Sequence, residues 1–324
     1  MSSDKNSSDR KNSIKKDSKL VVFGGTGMLG SAIVRQLGKK GYKNVDAPSR
    51  KQGFDLLSKE KVDEYFKTHK PDAAFMVAGL VGGIQANNKR QADFLYQNSI
   101  MILNVLEAVK NFSPETKILY TGSTCIYPKE NPQPINENRF MTGPLEATNL
   151  GYAVAKGMGV VACQLYRKQY GINAIAAMPT NLYGVHDNYD LENSHFIAAM
   201  IVKFVNAKRN GTELEFWGTG TPRREALYAD DCADACIYLT ENYNEPDIVN
   251  IGTGYDHSIK EYIEIAIKVF DYNGEIKWDS SKPDGTYEKR TDIQRLKSIM
   301  PDFNPRSFED GLKNVLKEDF QMDI

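Results

Sequence analysis

The sequence lacks any apolar run long enough to cross a membrane, because no segment approaches the roughly 18 consecutive apolar residues of a transmembrane helix. It also lacks the apolar stretch of a signal peptide, so we expect a cytoplasmic protein. Cysteine is scarce, at four of 324 residues. The cysteines show no C-x-x-C spacing, and Cys232 and Cys236 lie one helical turn apart with no histidine beside them. We therefore expect neither a metal site nor a disulfide framework.

The sequence also lacks an excess of either charge, since its formal net charge is -1. A nucleic-acid partner is therefore not expected, although a local site for a small anion remains compatible with this balance. A chain of 324 residues that is 41% hydrophobic is expected to form one large α/β domain and a smaller companion. Residues 1–18 contain Ile14 as their only apolar residue after Met1, so they are predicted to be a disordered tail.

A glycine-rich turn follows the first predicted strand, residues 19–23. It has G-x-x-G-x-x-G spacing and precedes a helical pattern of apolar residues. In a Rossmann unit, such glycines let the backbone turn tightly and approach a pyrophosphate at the helix N-terminus. The candidate cofactor-binding residues here are Gly24, Gly25, Thr26, Gly27, Met28, Leu29 and Gly30. The pattern predicts a Rossmann-type, doubly wound parallel sheet, with residues 19–180 forming mainly the cofactor-binding domain.

The end of the second predicted strand, near Val45, decides the cofactor type. An NAD site commonly places a carboxylate there, whereas an NADP site places basic groups for the 2′-phosphate. Asp46 lies within the predicted strand, and Arg50 and Lys51 follow it. The two basic residues favour NADP(H), and Asp46 would favour NAD if they were only solvated loop charges.

A hydroxyl group and a Tyr/Lys pair point to redox chemistry on a carbonyl group. Ser123 follows the predicted strand 117–121, and Tyr152 and Lys156 are four residues apart, on one face of a helix. Together they could hold a carbonyl oxygen beside a cofactor. An isolated Tyr-x-x-x-Lys is also common on exposed helices. The order of these residues resembles the short-chain dehydrogenase/reductase superfamily, in its extended branch that modifies sugar nucleotides. Asp55 is similar to that superfamily's acidic residue beside the adenine amino group.

Several motifs in order resemble the GDP-L-fucose synthase family. They are residues 81–84 (VGGI), 86–88 (ANN), 122–128 (GSTCIYP), 178–184 (MPTNLYG), 186–188 (HDN), 193–195 (NSH), 217–224 (WGTGTPRR) and 281–285 (SKPDG). The resemblance extends from about Lys19 to Leu316. It implies epimerisation at C3 and C5 of GDP-4-keto-6-deoxy-D-mannose and then reduction at C4 with NADPH.

The resemblance also assigns roles to residues. Cys125 and His195 match the base and acid of epimerisation, and a strand-like Ser123-x-Cys125 spacing would turn both side chains to one site. Ser123 and Tyr152 would serve the C4 oxygen, and Lys156 would lower the pKa of Tyr152 and hold the ribose. Further cofactor contacts are expected at Lys156, Pro179, Asn181, Leu182 and His195. Substrate contacts are expected at Asn181, Lys203, Trp217, Arg224 and Asp284.

The remaining expectations concern architecture and partners. Residues 181–324 are predicted to form mainly a smaller α/β substrate-binding domain, with some segments returning to the Rossmann domain. A homodimer through the helices after Ala92 and from Tyr152 is expected, as is functional coupling to a GDP-mannose 4,6-dehydratase. Thr26, Ala226 and Tyr228 depart from the family pattern, which puts arginine, phenylalanine and histidine there. The alternatives are another NAD(P)-dependent nucleotide-sugar epimerase or dehydratase, and a non-catalytic NADP-sensing protein.

Overall fold

A parallel β-sheet forms the centre of the protein. The structure is a computed structural model that describes residues 14–191, 194–281 and 288–322. Its strands are β1 (Lys19–Phe23), β2 (Asn44–Asp46), β3 (Ala73–Met76), β4 (Lys117–Thr121), β5 (Ala174–Pro179), β6 (Asn181–Tyr183), β7 (Leu214–Trp217), β8 (Arg223–Arg224), β9 (Ala226–Tyr228), β10 (Val249–Ile251), β11 (His257–Ser258) and β12 (Ile276–Asp279). Its helices are α1 (Met28–Lys39), α2 (Lys59–His69), α3 (Ile84–Lys89), α4 (Gln91–Phe112), α5 (Leu150–Tyr170), α6 (Phe196–Asn210), α7 (Ala229–Asn242), α8 (Ile259–Phe270), α9 (Gln294–Ile299) and α10 (Phe308–Phe320).

The sheet has the topology of a doubly wound α/β fold. Within the described ranges it contains six parallel strands in the order β2-β1-β3-β4-β5-β10. The order reverses at β1, which pairs with β2 on one side and β3 on the other. Ligands of such sheets bind at the carboxyl ends of the strands, at the switch point. The predicted fold class is confirmed.

The side chains of each central strand alternate between two hydrophobic cores. From β1, Val21 and Phe23 pack with residues of α2, α4 and α5, while Leu20 and Val22 pack with α1 and α7. Burial of one such side chain stabilises the fold by about 1.5–3 kcal/mol. A shift of one residue would exchange the two faces of the strand. The two cores therefore fix β1, and with it the glycine turn that follows.

A third core lies mainly in the C-terminal part, between α6, α8 and α10. Phe204 of α6 stacks on Phe270 of α8 with ring centroids 5.1 Å apart, and Tyr183 packs on Phe308 of α10 at the same centroid distance. The chain returns to the large sheet between these helices, because α7 packs on α1 and β10 pairs with β5. The C-terminal part is thus anchored on the sheet through β10 and α7.

Residues 14–18 belong to the folded part of the chain. Ile14 is 8% exposed and packs in the core beside α1 and α7, and the backbone oxygen of Lys16 accepts a hydrogen bond from the Lys43 amide at 3.1 Å. The predicted disordered tail is therefore wrong for this segment, because contacts with distant residues order it. Residues 1–13 of the predicted tail lie outside the described residues.

The long helices of the described residues contain charged side chains. Even α4, which runs for 22 residues, includes Asp93, Glu107 and Lys110. None of the helices in the described part of the chain is both long and apolar enough to cross a membrane.

Candidate active site

A cavity of about 960 Å³ opens at the carboxyl edge of the sheet. This volume is near the upper end of the range of roughly 300–1,000 Å³ for ligand pockets. The predicted site residues on its wall are Gly24, Thr26, Gly27, Met28, Leu29, Gly30, Arg50, Lys51, Asp55, Ser123, Cys125, Tyr152, Lys156, Pro179, Asn181, Leu182 and His195. The fold therefore brings residues from distant parts of the sequence to one cavity.

The glycine turn after β1 has the shape of a dinucleotide cradle. Gly24 has a backbone φ of +93°, which residues other than glycine rarely adopt. A Cβ atom on Gly30 would lie 2.0 Å from the Gly24 oxygen, so glycine is required for α1 to begin this close to the turn. Gly25 does not line the cavity, and its own Cβ would meet the Cβ of Ala47 at 2.7 Å. The turn leaves open backbone at the N-terminus of α1, which suits a pyrophosphate.

The cavity reaches the end of β2, the place where NAD and NADP sites differ. Arg50 and Lys51 line it, and Arg50 Nε lies 3.3 Å from Asp55 Oδ1. Asp46 is absent from the described wall, and its carboxylate accepts a hydrogen bond from the Tyr65 hydroxyl at 2.6 Å. The basic residues, and not Asp46, therefore face the ligand space.

The loop after β3 lines the cavity and is held by Asn98 of α4. Asn98 is 4% exposed. Its Oδ1 accepts a hydrogen bond from the Leu80 amide at 2.8 Å, and its Nδ2 donates to the Leu80 oxygen at 3.1 Å. One buried amide thus satisfies both backbone groups of Leu80 and fixes the loop over the cavity.

Ser123, Tyr152 and Lys156 form a connected group at the end of β4. Lys156 is 4% exposed and donates through Nζ to the Thr121 oxygen at 2.8 Å. Burial lowers the pKa of Lys156 to about 8, against an opposing effect of Cys125. Burial raises the pKa of Tyr152 well above its usual value, and a hydrogen bond from Ser123 opposes that rise.

The predicted effect of Lys156 on Tyr152 is wrong in this structure. The Nζ atom lies 5.8 Å from the Tyr152 ring centroid and is directed to the Thr121 oxygen, so desolvation dominates the tyrosine pKa. Tyr152 nevertheless lines the cavity together with Ser123.

Cys125 lies on the wall beside this group, but not in a strand. Residues Thr124–Ile126 form a 3-10 turn, and the Cys125 amide donates to Ser123 Oγ at 3.3 Å. The strand-like geometry expected for these residues is wrong, although both side chains do line the cavity. Burial raises the pKa of the Cys125 thiol, while Lys289, a hydrogen bond from Ser123, and Lys156 act to lower it.

Two histidines reach the cavity from the segment before α6. His195 is the N-cap residue of α6 and is open to the cavity, and desolvation by the surrounding walls lowers its pKa. His186 has a φ of +68°, and its amide donates to Asp319 Oδ2 at 2.9 Å. His186 therefore helps to hold this segment through its backbone.

The predicted substrate residues divide into two groups. Asn181 lines the cavity, whereas Lys203, Trp217 and Arg224 lie outside its described wall. Lys203 Nζ donates to the Glu215 oxygen at 2.6 Å, and Trp217, at the end of β7, is 62% exposed. Asp284 lies outside the described residues.

Lys289 is a site residue that sequence reasoning missed. It lines the cavity, and burial lowers the pKa of its ammonium group, while Cys125 raises it and Arg224 lowers it further. The positive charge of Lys289 therefore acts on the Cys125 thiol. No local motif marks Lys289, because it reaches the site only through the folding of a segment far along the chain.

The three departures from the family pattern have different surroundings. Thr26 lines the cavity. Ala226 is buried and pairs in register with Asn181. Tyr228 is 3% exposed, lies 5.5 Å from the Tyr183 ring centroid and carries the Arg306 guanidinium 4.3 Å above its ring. The last two positions therefore belong to the packing behind the site.

Comparison with known proteins gives a consistent result. The profile of the NAD dependent epimerase/dehydratase family matches residues 20–252. The chain is 46% identical to a GDP-L-fucose synthase of Sinorhizobium fredii, with 87% of this chain and 89% of the relative covered. It is 40% identical to GDP-L-fucose synthase of Escherichia coli, with 87% and 90% covered.

A solved structure has the same architecture over nearly the whole chain. It is the GDP-L-fucose synthetase of Naegleria fowleri bound to NADP, with a TM-score of 0.87 and 27% sequence identity. The alignment covers 95% of this chain and 94% of that one.

Proposed function

The chain belongs to the NAD dependent epimerase/dehydratase family, and we propose that it acts as a GDP-L-fucose synthase. The reaction is epimerisation of GDP-4-keto-6-deoxy-D-mannose at C3 and C5, followed by NADPH-dependent reduction at C4. The observation that carries this proposal is that Cys125 and His195 share one cavity wall with Ser123, Tyr152 and Lys156. A reductase that does not also epimerise its substrate has no need of Cys125 and His195. The similarity to GDP-L-fucose synthases over most of the chain supports the same reaction.

The epimerisation requires a base and an acid beside a ketone. C3 and C5 both lie next to the C4 carbonyl, so the Cys125 thiolate removes a proton from carbon and an enolate forms. The enolate oxygen accepts hydrogen bonds from Ser123 and Tyr152. His195 then returns a proton to carbon on the opposite face. The anionic diphosphate of the substrate favours the protonated ring of His195.

The reduction uses the hydroxyl groups that have already held the oxygen. Bound NADPH supplies the hydride to C4. Tyr152 transfers its proton to the developing alkoxide. Ser123 keeps the oxygen in place, and the Lys156 ammonium stabilises negative charge nearby.

NADP(H) fits the cofactor end of the cavity. Residues 24–30 form the backbone cradle for the pyrophosphate, and the open positions of Arg50 and Lys51 suit a 2′-phosphate. In this proposal Lys156 also holds the nicotinamide ribose. The solved Naegleria fowleri relative, which is bound to NADP, supports the same cofactor here.

The GDP part of the substrate extends from the cavity towards the C-terminal helices. Lys203, Trp217 and Arg224 offer two cations and an exposed aromatic ring for a diphosphate and a base. We assign the sugar to the Cys125 end of the cavity and the nucleotide to this outer surface. Supply of the 4-keto sugar by a GDP-mannose 4,6-dehydratase would complete the functional coupling.

A homodimer is part of the proposal. Helices α4 and α5 pack side by side and expose large apolar side chains, namely Leu95, Tyr96, Leu150, Val154, Leu165 and Tyr170. Leu150, Val154 and Leu165 share one face of α5. A solution mass equal to one chain at micromolar concentration would overturn this assembly.

The direct test is incubation with GDP-4-keto-6-deoxy-D-mannose and NADPH, followed by identification of the sugar product by NMR. GDP-L-fucose is expected. Formation of the C4-reduced sugar with unchanged C3 and C5 would assign a simple reductase instead. Binding of NADPH without any product from this or other 4-keto nucleotide sugars would favour the non-catalytic alternative.

A further inference from the structure

Glu225 is a buried carboxylate between β8 and β9, and its hydrogen-bond donors are backbone amides and hydroxyl groups. It is 0% exposed. Its Oε1 accepts hydrogen bonds from the Gly254 amide at 2.8 Å and Thr253 Oγ1 at 3.3 Å. Its Oε2 accepts from the Thr291 amide at 2.8 Å and Thr291 Oγ1 at 2.7 Å. A buried carboxylate is tolerated only when it is satisfied in this way.

These donors come from two segments that are far apart in sequence. Gly254 and Thr253 follow β10, whereas Thr291 lies beyond β12. Gly252 is shaped to this contact, since a Cβ atom there would lie 2.1 Å from Thr291 Oγ1 and 2.4 Å from Glu225 Oε1. The carboxylate and the threonine thus occupy space that only glycine leaves free. Glu225 therefore joins three segments at one point.

Two of these segments carry a charged group of the substrate end. Arg224 precedes Glu225, and Lys289 lies two residues before Thr291. The backbone amide of Glu225 donates to the backbone oxygen of Lys289 at 3.4 Å. The backbone oxygen of Glu225 accepts a hydrogen bond from Asn181 Nδ2 at 3.4 Å. The carboxylate also accepts a hydrogen bond from Thr180, next to Asn181. Three polar groups of the site therefore depend on the position of one buried residue.

We propose that Glu225 is a positioning residue that holds Asn181, Arg224 and Lys289 in register for the nucleotide-sugar half of the site. Glu225 itself is remote from the ligand space and touches no reacting atom. The cofactor cradle at Gly24–Gly30 is held separately by β1 and α1. Loss of the carboxylate therefore weakens the substrate end and leaves the cofactor end intact. The kinetic part of this inference rests on the proposed function.

The test compares Glu225→Gln with Glu137→Gln. Glu137 is a matched control, because it is 4% exposed, accepts the Asn250 amide at 3.0 Å and lies outside the described cavity wall. In Glu225→Gln the side-chain NH₂ group replaces one of the two carboxylate oxygens. It then faces the backbone N–H of Thr291 or Gly254, which has lost its acceptor, so that segment must move. We expect the KM for GDP-4-keto-6-deoxy-D-mannose to rise about tenfold, with the Kd for NADPH within about twofold of wild type. Glu137→Gln is expected to keep both values.

A second readout does not require the substrate to be known. Lys289 acts to lower the pKa of Cys125, so its displacement in Glu225→Gln should raise the pH midpoint of Cys125 alkylation by iodoacetamide by at least about 0.5. Mass spectrometry of the modified peptide separates Cys125 from the other thiols. Equal KM values and equal alkylation midpoints in the two Gln variants would overturn the inference. If wild type makes no GDP-L-fucose, the proposed function fails, and the alkylation midpoints alone decide the role of Glu225.

A milder pair of variants covers the case in which Glu225→Gln does not fold. Thr291→Val removes the Oγ1 donor at nearly constant volume, and Thr291→Ser keeps it. We expect Thr291→Val to raise the alkylation midpoint and Thr291→Ser to restore the wild-type value. The same midpoint in both variants would contradict the inference.

Discussion

The ammonium group of Lys156 donates a hydrogen bond to the backbone oxygen of Thr121 at 2.8 Å. This contact ties the middle of α5 to the end of β4, two residues before Ser123. The lysine is therefore placed by the sheet and does not depend on Tyr152 for its position. The tyrosine hydroxyl can therefore be removed while the lysine keeps its bond to Thr121.

Tyr152→Phe should reduce kcat for C4 reduction by about 10²–10⁴, which is the usual contribution of general acid catalysis. The Kd for NADPH should stay near wild type, because Lys156 keeps its bond to Thr121. Stopped-flow measurement of NADPH oxidation gives the rate. Tyr166→Phe is the control, since Tyr166 lies on the same helix and bonds Glu107 outside the described cavity wall. An unchanged reduction rate in Tyr152→Phe would remove the tyrosine from the mechanism.

Replacing Arg50 and Lys51 together by Ala should lower the preference for NADPH over NADH. Hydrogen bonds to charged groups contribute about 1.5–3 kcal/mol, so the ratio of kcat/KM values should fall about tenfold or more. Initial rates with each cofactor provide the test. Lys59→Ala is a matched change of surface charge, as Lys59 pairs with Asp63 away from the cavity. The assignment is wrong if the double variant keeps the wild-type ratio.

The lowered pKa of the buried Lys117 side chain predicts that the protein becomes more stable at alkaline pH. It is 3% exposed and donates to the Tyr243 oxygen at 2.7 Å, and burial lowers its pKa to about 8. An unfolded lysine titrates near 10.4, so between pH 8 and about 10 the unfolded chain binds more protons. The free energy of unfolding should therefore increase with pH in that window, by about 2–3 kcal/mol for this residue.

Urea denaturation at several pH values between 7.5 and 10 measures this effect. Lys117→Met removes the titrating group and keeps much of the side-chain length, so its unfolding free energy should rise less over the same window. A pH dependence equal to that of wild type would show that Lys117 is not the source.

The parts of the fold that local patterns encode were predictable from the sequence. The glycine spacing from Gly24 to Gly30 marks the first turn, because few other residues adopt its backbone geometry or leave room for α1. The spacing of Tyr152 and Lys156 places both on one helical face. The short apolar strands likewise follow from runs of buried residues.

The parts that depend on distant contacts were not predictable. Ile14 is ordered because Lys16 bonds the segment before β2, which no local composition reveals. Lys289 reaches Cys125 only after the C-terminal part folds back on the sheet. The raised pKa of Tyr152 comes from burial, whereas the sequence shows only a neighbouring lysine.

Cys125→Ser tests the central claim that one cavity holds separate groups for epimerisation and reduction. The measurement is deuterium uptake at C3 and C5 of GDP-4-keto-6-deoxy-D-mannose in D₂O, followed by NMR with NADP⁺ present and no hydride donor. Cys163→Ser, at a buried thiol on α5 that lies outside the described cavity wall, is the control. We expect Cys125→Ser to lose uptake at both carbons by about 10²-fold or more and still to bind NADPH, and Cys163→Ser to exchange like wild type. Undiminished uptake at C3 and C5 in Cys125→Ser would contradict the account.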